Sequence, residues 1–386
     1  MKDKDIYIVY NKFFTPDGVN RVLGGIETYL HNLAELFSNN SMRKVYIIQP
    51  ATHDFEHRVG DYYVLGKKIS NYSRDRFCNF VLNLARLNNG FLIFGADQFS
   101  VKTDYPYAIS IMHGVSWDLP ASYFTCNGGV LGIIGRLPYF GDGLAKRIFI
   151  LQRLKQIQNC RNNVLVDYNS VNWYRTQFSD RLPFNYKVIL NFAVEPLNYE
   201  PALERHVTNQ IKIIFARRFQ NYRGVDLMVG SVLEILKDVD NVSFCFAGEG
   251  PEEQKIKDTF ANEPRVVVSR YDSAESVIFH QKFHIAVVPS IASEGSSLSL
   301  AEAMLAGCAV IATDVGGMTN MVIDGYNGIL IQPSVTSLTQ ALRSLIDDQQ
   351  RRQQLALRGW QSAATAFAHR RWCQQWLELI EQVGAA

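Results

Sequence analysis

Glu294 and Glu302 stand eight positions apart in Glu294-Gly-Ser296-Ser297-Leu298-Ser-Leu-Ala-Glu302, and the stretch runs on at once into Ala303-Met-Leu-Ala-Gly307. The apolar pattern of a helix begins between them, so Glu294 belongs to a loop and Glu302 to the helix that follows. A helix N-terminus, with its unpaired N–H groups and positive dipole end, then lies between two carboxylates. Such a site suits a ligand carrying both phosphate and hydroxyl groups: the amides attract the anion and the carboxylates accept from the hydroxyls. A plainer reading exists, because Ser299-Leu-Ala-Glu302 fits a capping box in which Glu302 reaches back to the N-cap amide. The rest of the chain decides between them.

Short β-branched or aromatic runs alternate with longer helical patterns. Ile6–Tyr10, Lys44–Gln49, Gly90–Phe94, Tyr107–Met112, Asn163–Asp167 and Lys187–Leu190 read as strands of one sheet. Ile211–Ala216, Val242–Ala247, Arg265–Ser269, Ile285–Pro289, Ala309–Thr313 and Gly328–Ile331 form a second series. Strands alternating with helices predict parallel sheets covered on both faces, so the expected architecture is two doubly wound α/β domains, residues 1–195 and 208–370. The proline-bearing stretch Phe192–Val207 is the linker. Ligands of open parallel sheets bind outside the carboxyl ends of the strands, so chemistry-bearing residues are expected just after them, facing a cleft between the domains.

They are found there. Gly24-Gly25-Ile-Glu27 follows the first strand and leads into the helical pattern Thr28–Phe37; paired glycines let a backbone approach phosphate closely. His113 directly follows Tyr107–Met112, a position that suits catalysis as well as a structural hydrogen bond. Arg217-Arg218 and Arg223-Gly224 follow Ile211–Ala216; these arginines would clamp a diphosphate or form a solvated basic loop. Gly248-Glu-Gly-Pro251 follows Val242–Ala247 and is a further phosphate or base contact of low specificity.

Composition excludes several alternatives. With 47% hydrophobic and 20% charged residues among 386, the chain is an ordinary globular protein, and a net charge of +2 gives no reason to expect nucleic acid as a partner. The six cysteines, Cys78, Cys126, Cys160, Cys245, Cys308 and Cys373, are dispersed and include no C-x-x-C pair. They read as reduced packing residues. The N-terminal stretch has no signal-peptide pattern, and no run approaches the roughly 18 apolar residues that span a bilayer, so a cytoplasmic protein is expected. No G-x-G-x-x-G follows the first strand, which argues against a nicotinamide-dependent dehydrogenase.

Taken in order, Gly24-Gly-Ile-Glu, Arg218 with Arg223-Gly224, Gly248-Glu-Gly-Pro, Glu294-(x7)-Glu302, Val310-Ile-Ala-Thr-Asp-Val-Gly-Gly317 and Asp324-Gly-Tyr-Asn-Gly-Ile-Leu330 resemble the family 4 retaining glycosyltransferases. The resemblance covers nearly the whole chain and is strongest from about Ile211 to Pro333. It implies the GT-B fold, two facing Rossmann-like domains, with a final helix (371–386) crossing back to the first. It also implies a hexosyltransferase that moves a sugar from a nucleotide diphosphate donor to a glycan or lipid-linked saccharide, in bacterial surface polysaccharide synthesis. By similarity Arg218 and Arg223 would neutralise the diphosphate, with the Gly24-Gly25 backbone assisting. Glu302 would take the ribose hydroxyls, Glu294 the transferred sugar, and the amides of Ser296, Ser297 and Leu298 the sugar and phosphate oxygens. His113 would face the reacting carbon, and the base would lie by the backbone of Arg270 and Tyr271.

The residue types agree with that chemistry: charge grows on the leaving diphosphate, and fixed arginines, amides and a helix dipole stabilise it without a metal. No Asp-x-Asp follows a strand, and neither cofactor nor metal is expected. The chain departs from the family pattern in three places: Arg223 replaces a usual lysine, Ser296-Ser297 a usual Phe-Gly, and Asn320 a frequent glutamate. The serines enlarge or polarise the sugar pocket. A sugar-nucleotide epimerase on the same fold, or a non-catalytic nucleotide-binding partner subunit, are the alternative functions. Gly128–Arg161 combines apolar and aromatic residues with Arg136, Lys146, Arg147, Arg153, Lys155 and Arg161. It reads either as a peripheral contact with the inner face of the cytoplasmic membrane or as a domain helix buried on one side.

Overall fold

The computed structural model describes residues 4–22, 24–39, 43–114, 133–134, 137, 141–178, 181–196, 199–201, 203–292 and 294–385, with 141 and 142 as backbone only. The chain divides into two compact units: Met1–His113, Ala121–Ile189 and Cys373–Ala386 form the first, and Gly114–Pro120 with Leu190–Trp372 the second.

The first unit is built on an eight-stranded sheet. In chain order its strands are β1 (Ile6–Val9), β2 (Val45–Pro50), β3 (Phe55–Val59), β4 (Tyr62–Lys67), β5 (Phe91–Phe94), β6 (Ala108–Met112), β7 (Asn162–Leu165) and β8 (Asn185–Val188), and across the sheet the order is β3-β4-β2-β1-β5-β6-β7-β8. All neighbours are parallel except β3, which runs antiparallel to β4. Its described helices are α1 (Gly25–Asn39), α2 (Arg74–Leu87), α3 (Gly141–Gln156) and α4 (Tyr168–Gln177). β1, β5 and β6 are buried along their whole length, as continuous apolar runs covered on both faces must be. The β3–β4 pair has no counterpart in the expected strands. In Phe-Glu-His-Arg-Val charged and exposed positions alternate with half-buried ones, the composition of an edge strand.

The second unit carries a six-stranded, all-parallel sheet in the order β11-β10-β9-β12-β13-β14. These are β9 (Ile211–Ala216), β10 (Val242–Ala247), β11 (Val266–Ser269), β12 (Ile285–Val288), β13 (Ala309–Thr313) and β14 (Ile329–Ile331), matching the six expected strands of the second series. The helices are α5 (Val225–Ile235), α6 (Glu253–Thr259), α7 (Ser276–His280), α8 (Leu298–Leu305), α9 (Val335–Asp347) and α10 (Gln349–Ala366). Strand residues alternate between two cores. Ile211, Ile213, Phe215, Phe244, Phe246 and Val287 pack with α5 and α9 on one face. Ile214, Ala216, Ala247, Ala286, Val288 and Ala312 pack with Ala301, Ala303 and Met304 of α8 on the other. That second face is made largely of alanine, so α8 lies close to the sheet. The two Rossmann-like parallel sheets with their helices are the α/β class expected of a GT-B protein.

The last helix, α11 (His369–Ala385), belongs from Cys373 onward to the first unit. There Trp376 is fully buried and donates through Nε1 to Tyr29 Oη at 2.9 Å, with Phe37 edge-on beside it. Among the described cysteines, Cys78, Cys160, Cys245 and Cys308 are buried with free thiols, and burial pushes those of Cys78 and Cys160 up to about 12. No described helix is long and apolar enough to cross a membrane. Of the basic segment 128–161, residues 128–132, 135–136 and 138–140 lie outside the described ones. α3 covers 141–156, with Leu144 and Leu151 exposed. Arg153 does not join a basic surface: its Nη1 donates to the buried Asp97 Oδ2 at 2.9 Å.

Candidate active site

β12 ends at Val288, and the chain then passes through Ser290 to the loop that carries Glu294. Glu294 is buried, and its Oε1 accepts from three donors: Ser290 Oγ at 2.5 Å, Arg217 Nη2 and Arg223 Nη1. Each donor comes from the carboxyl end of a strand or just beyond it, where a parallel sheet leaves its loops free to converge. Arg217 follows β9 directly, and Arg223 ends the short helical turn Asn221–Arg223 leading into α5. Burial alone would push Glu294 up, but Arg217 and Arg223, with Ser290, hold it down at about 2. Glu294 is therefore an anion locked between two cations.

Two glycine positions make that convergence possible. Gly224 has a φ of +82°, and a Cβ there would lie 1.9 Å from the Pro289 carbonyl oxygen. The Arg223 turn can thus approach the β12 loop only with glycine at this position. On the other side Gly317 N donates to Glu294 O at 3.0 Å, and a Cβ on Gly317 would lie 2.4 Å from Gly295 C. The Gly316-Gly317 pair is therefore a floor on which the Glu294 loop rests. The Gly248–Pro251 turn supports the arginine loop instead, Phe219 N donating to Glu249 O at 2.8 Å.

The serines after Glu294 are positioned by their own bonds. Ser296 Oγ accepts from Asn191 N at 2.8 Å, and Asn191 Nδ2 donates to Ser296 O at 2.5 Å. The N-cap of α8 is Ser297, with φ −84° and ψ 123°, and among the described residues no side chain caps the helix there. This corrects the capping-box reading: Ser299 lies inside the helix and Glu302 is its fifth residue, too far along to reach back. Glu302 Oε2 accepts instead from Ser276 Oγ of α7 at 2.6 Å. The Ser297 amide faces Met321 Sδ at 3.1 Å, a weak acceptor that a stronger one would displace. Burial raises Glu302 to about 7, against the pull of Ser276 and Arg217. Tyr271, held flat against Phe279 at 4.8 Å and 6°, is raised by burial and by the charge of Glu302.

The remaining expected residues fall in three places. Arg218 is exposed while its neighbour Arg217 is buried on Glu294. Arg270, just past β11, is largely exposed and pairs with Glu253 at 3.1 Å and Glu249 at 3.5 Å. Gly24, Gly25 and His113 belong to the first unit. There Gly25 opens α1, Gly24 O accepts from Thr28 N at 2.8 Å, and the buried Glu27 accepts from Tyr10 Oη at 2.8 Å. His113 Nε2 donates to Gly95 O at 2.8 Å, and the ring meets Tyr29 edge-on at 4.9 Å. Burial lowers its pKa to about 4, so the imidazole is neutral at physiological pH with its proton on Nε2.

In the sequence Arg217 is named only as one of the arginines past Ile211–Ala216, with no role of its own, and Ser290, Ser276 and Asn191 are not singled out. Arg217 and Ser290 were marked by their position just past a strand, the same signal that singled out Arg218. Ser276 and Asn191 carry no such mark. Among the described residues no group of three or more His, Cys, Asp or Glu is arranged to hold a metal ion.

Two Rossmann-like parallel sheets, with buried arginines and a carboxylate at the strand ends of the second, define a GT-B-type α/β protein. Residues 200–360 match the family described as glycosyl transferases group 1. An uncharacterized glycosyltransferase of Methanocaldococcus jannaschii is 32% identical over 150 residues, which is 38% of this chain and 41% of that protein. The chain spans about two fifths of the length of the first curated relatives it matches. The sucrose-phosphate synthase of Thermosynechococcus elongatus superposes with a TM-score of 0.73 over 99% of both chains at 14% identity. The Anabaena protein HepE, solved with UDP-glucose, gives 0.69 over 98% of this chain and all of that one, 100%, also at 14% identity. At that identity the likeness establishes the fold.

Proposed function

We propose that the protein is a retaining glycosyltransferase that moves a sugar from a nucleotide diphosphate donor to a glycan or lipid-linked saccharide. The observation that carries this reading is the buried Arg217–Glu294–Arg223 cluster at the strand ends of the group 1 domain, next to the uncapped N-terminus of α8. When the anomeric C–O bond of the donor breaks, its electron pair moves onto the leaving diphosphate. Guanidiniums fixed in a buried site and a helix dipole stabilise that charge with little reorganisation. Arg218 and Arg223 are assigned to the diphosphate, with the Gly24-Gly25 backbone assisting, Glu294 to the sugar, and the amides of Ser296, Ser297 and Leu298 to the sugar and phosphate oxygens. Glu302 takes the ribose hydroxyls, and the backbone of Arg270 and Tyr271 the base. His113, as a neutral imidazole, is assigned to the sugar near the reacting carbon. HepE with UDP-glucose supports a nucleotide sugar as donor class through shared fold. In this reading the reaction needs no metal and takes place in the cytoplasm, with peripheral membrane contact through 128–161.

The test is single-turnover transfer by the wild type, Glu294→Ala and Arg218→Ala, after a thermal-shift screen of nucleotide sugars has chosen the donor. Both variants are expected to lose about a hundredfold or more in kcat/KM, as removal of one charge-stabilising donor does elsewhere. Near-wild-type values for both would overturn the assigned roles. Conversion of the donor to an epimer without any acceptor would replace the reading with an epimerase.

A further inference from the structure

Glu302 and the group that anchors it lie on different helices. Ser276 Oγ of α7 donates to Glu302 Oε2 of α8 at 2.6 Å, and among the described residues it is the only direct hydrogen-bond partner of that carboxylate. The two residues differ in depth: Ser276 is 3% exposed, while Glu302 is half-buried. The hydroxyl therefore meets the carboxylate from inside the protein and leaves its solvent side for a ligand. Ser276 is itself held in place, because Val277 packs α7 into the same core as Ala301 and Ala303 of α8. His280 Nδ1 stands 2.8 Å from the Ser276 carbonyl oxygen and 3.4 Å from its Oγ. The imidazole proton goes to the nearer carbonyl, and Ser276 keeps its own for Glu302. An ionised carboxylate only accepts, so the direction of the Ser276–Glu302 bond is fixed, and its length is that of a charge-assisted bond.

We propose that Ser276 is a positioning residue for nucleotide recognition: its hydroxyl fixes the orientation of Glu302 and favours the ionised carboxylate, so that Glu302 meets the ribose 2′- and 3′-hydroxyls as an acceptor. This rests on the donor-site reading above, which gives the ribose to Glu302, and adds the residue behind it. Burial raises Glu302 to about 7, and of the two groups that pull it back Ser276 acts more strongly than Arg217. Tyr271, raised by burial and by the charge of Glu302, stays protonated, and His280, lowered by burial to about 4, adds no charge. Without the Ser276 hydroxyl the titration of Glu302 moves upward, and more of the carboxyl is protonated at neutral pH. A protonated carboxyl turns one of its acceptor oxygens into a donor and holds ribose hydroxyls less well. Ser276 thus sets, from a neighbouring helix, the pH range over which the nucleotide is held.

The experiment is calorimetric titration of the intact chain with UDP, GDP and ADP, then with the best-binding diphosphate and its 2′,3′-dideoxy counterpart from pH 6 to 9. The proteins are the wild type, Ser276→Ala, Ser276→Cys, Glu302→Gln and the double variant Ser276→Ala/Glu302→Gln. The terminal phosphate itself titrates near about pH 6, so each profile is read as its difference from that of Glu302→Gln. Ser276→Ala is expected to weaken binding of the ribonucleotide about three- to tenfold at pH 7, the size of one lost hydrogen bond, with the loss shrinking toward pH 9 as Glu302 ionises. The dideoxy nucleotide should be nearly unaffected. Ser276→Cys keeps a weaker donor, should fall between wild type and alanine, and carries the test if the alanine variant does not fold. In the Glu302→Gln background the loss of Ser276 should have no further effect. An unshifted pH profile in Ser276→Ala, an equal loss with the dideoxy nucleotide, or an undiminished loss in the Glu302→Gln background would overturn the proposal. Failure of the wild type to bind any of the three diphosphates, or an undiminished preference for the ribonucleotide in Glu302→Gln, would instead overturn the donor-site reading, and this inference with it.

Discussion

Glu294 and Glu302 sit on one loop-and-helix segment, yet their protonation is driven in opposite directions: Glu294 is held down at about 2 and Glu302 is raised to about 7. Arg217 acts on both, as a hydrogen-bond donor to Glu294 and as a charge that lowers Glu302. Glu302 has burial to contend with and, among the described residues, only Ser276 Oγ at 2.6 Å as a direct hydrogen-bond partner. One carboxylate is therefore a permanent anion, while the other changes charge near neutral pH.

Glu302 should make both stability and nucleotide binding pH-dependent. Its folded pKa of about 7 lies above the ordinary 4.5, so the folded state binds the proton more tightly than the unfolded one. Its contribution to stability is full below pH 4.5 and declines as pH rises through 7, by up to about 3 kcal/mol. Ribose hydroxyls donate better to the ionised form, so nucleotide affinity should rise from pH 6 to 8. Denaturation midpoints and Kd values across this range, for wild type and Glu302→Gln, check both slopes. Parallel profiles for the two proteins would remove Glu302 as their source.

His113 should not titrate between pH 5 and 8. Burial lowers it to about 4, and its Nε2 proton is already committed to Gly95 O. Because the folded pKa is depressed, the stability it contributes is present above about pH 6.5 and is lost as pH falls through 4. The imidazole resonances of His113 followed by NMR should therefore stay constant over pH 5–8. A midpoint near 6.5 would show that the ring is solvated and available as an ordinary acid.

Gly317→Ala should damage the site more than the fold. The new Cβ would meet backbone, at 2.4 Å from Gly295 C and 2.6 Å from Ser296 N, and neither can swing aside as a flexible side chain would. The Glu294 loop must move, at a cost of about 1–3 kcal/mol for overpacking. Nucleotide binding should fall by tenfold or more while the unfolding transition shifts by only a few degrees. Unchanged binding would show that the loop tolerates displacement.

Trp376→Ala should loosen the first unit, not the site cluster. The indole is fully buried, bonded to Tyr29 and set edge-on to Phe37, and removing such a side chain costs about 3–5 kcal/mol. Hydrogen exchange of α1, residues 25–39, should accelerate markedly in the variant, with exchange in β9 and β12 little changed. Equal acceleration in both units would mean that they unfold together.

The sequence alone determined the two series of strands, because buried parallel strands are continuous apolar runs and need no partner to be recognised. The six strands of the second unit were all legible for that reason. β3 and β4 were not, since an edge strand mixes Glu56 and Arg58 with its apolar residues and owes its conformation to the neighbour it pairs with. The loop-then-helix placement of Glu294 and Glu302 was legible as well, as was the presence of arginines just past β9. What only the tertiary structure decided is which arginine turns inward. Arg217 and Arg218 are adjacent and chemically identical, and the direction of the chain leaving β9 buries the first on Glu294 and exposes the second. The partner of Glu302 was decided the same way. A capping box is a local pattern, but Ser276 lies 26 residues away and reaches Glu302 because α7 and α8 pack on the same alanine-rich face of the sheet.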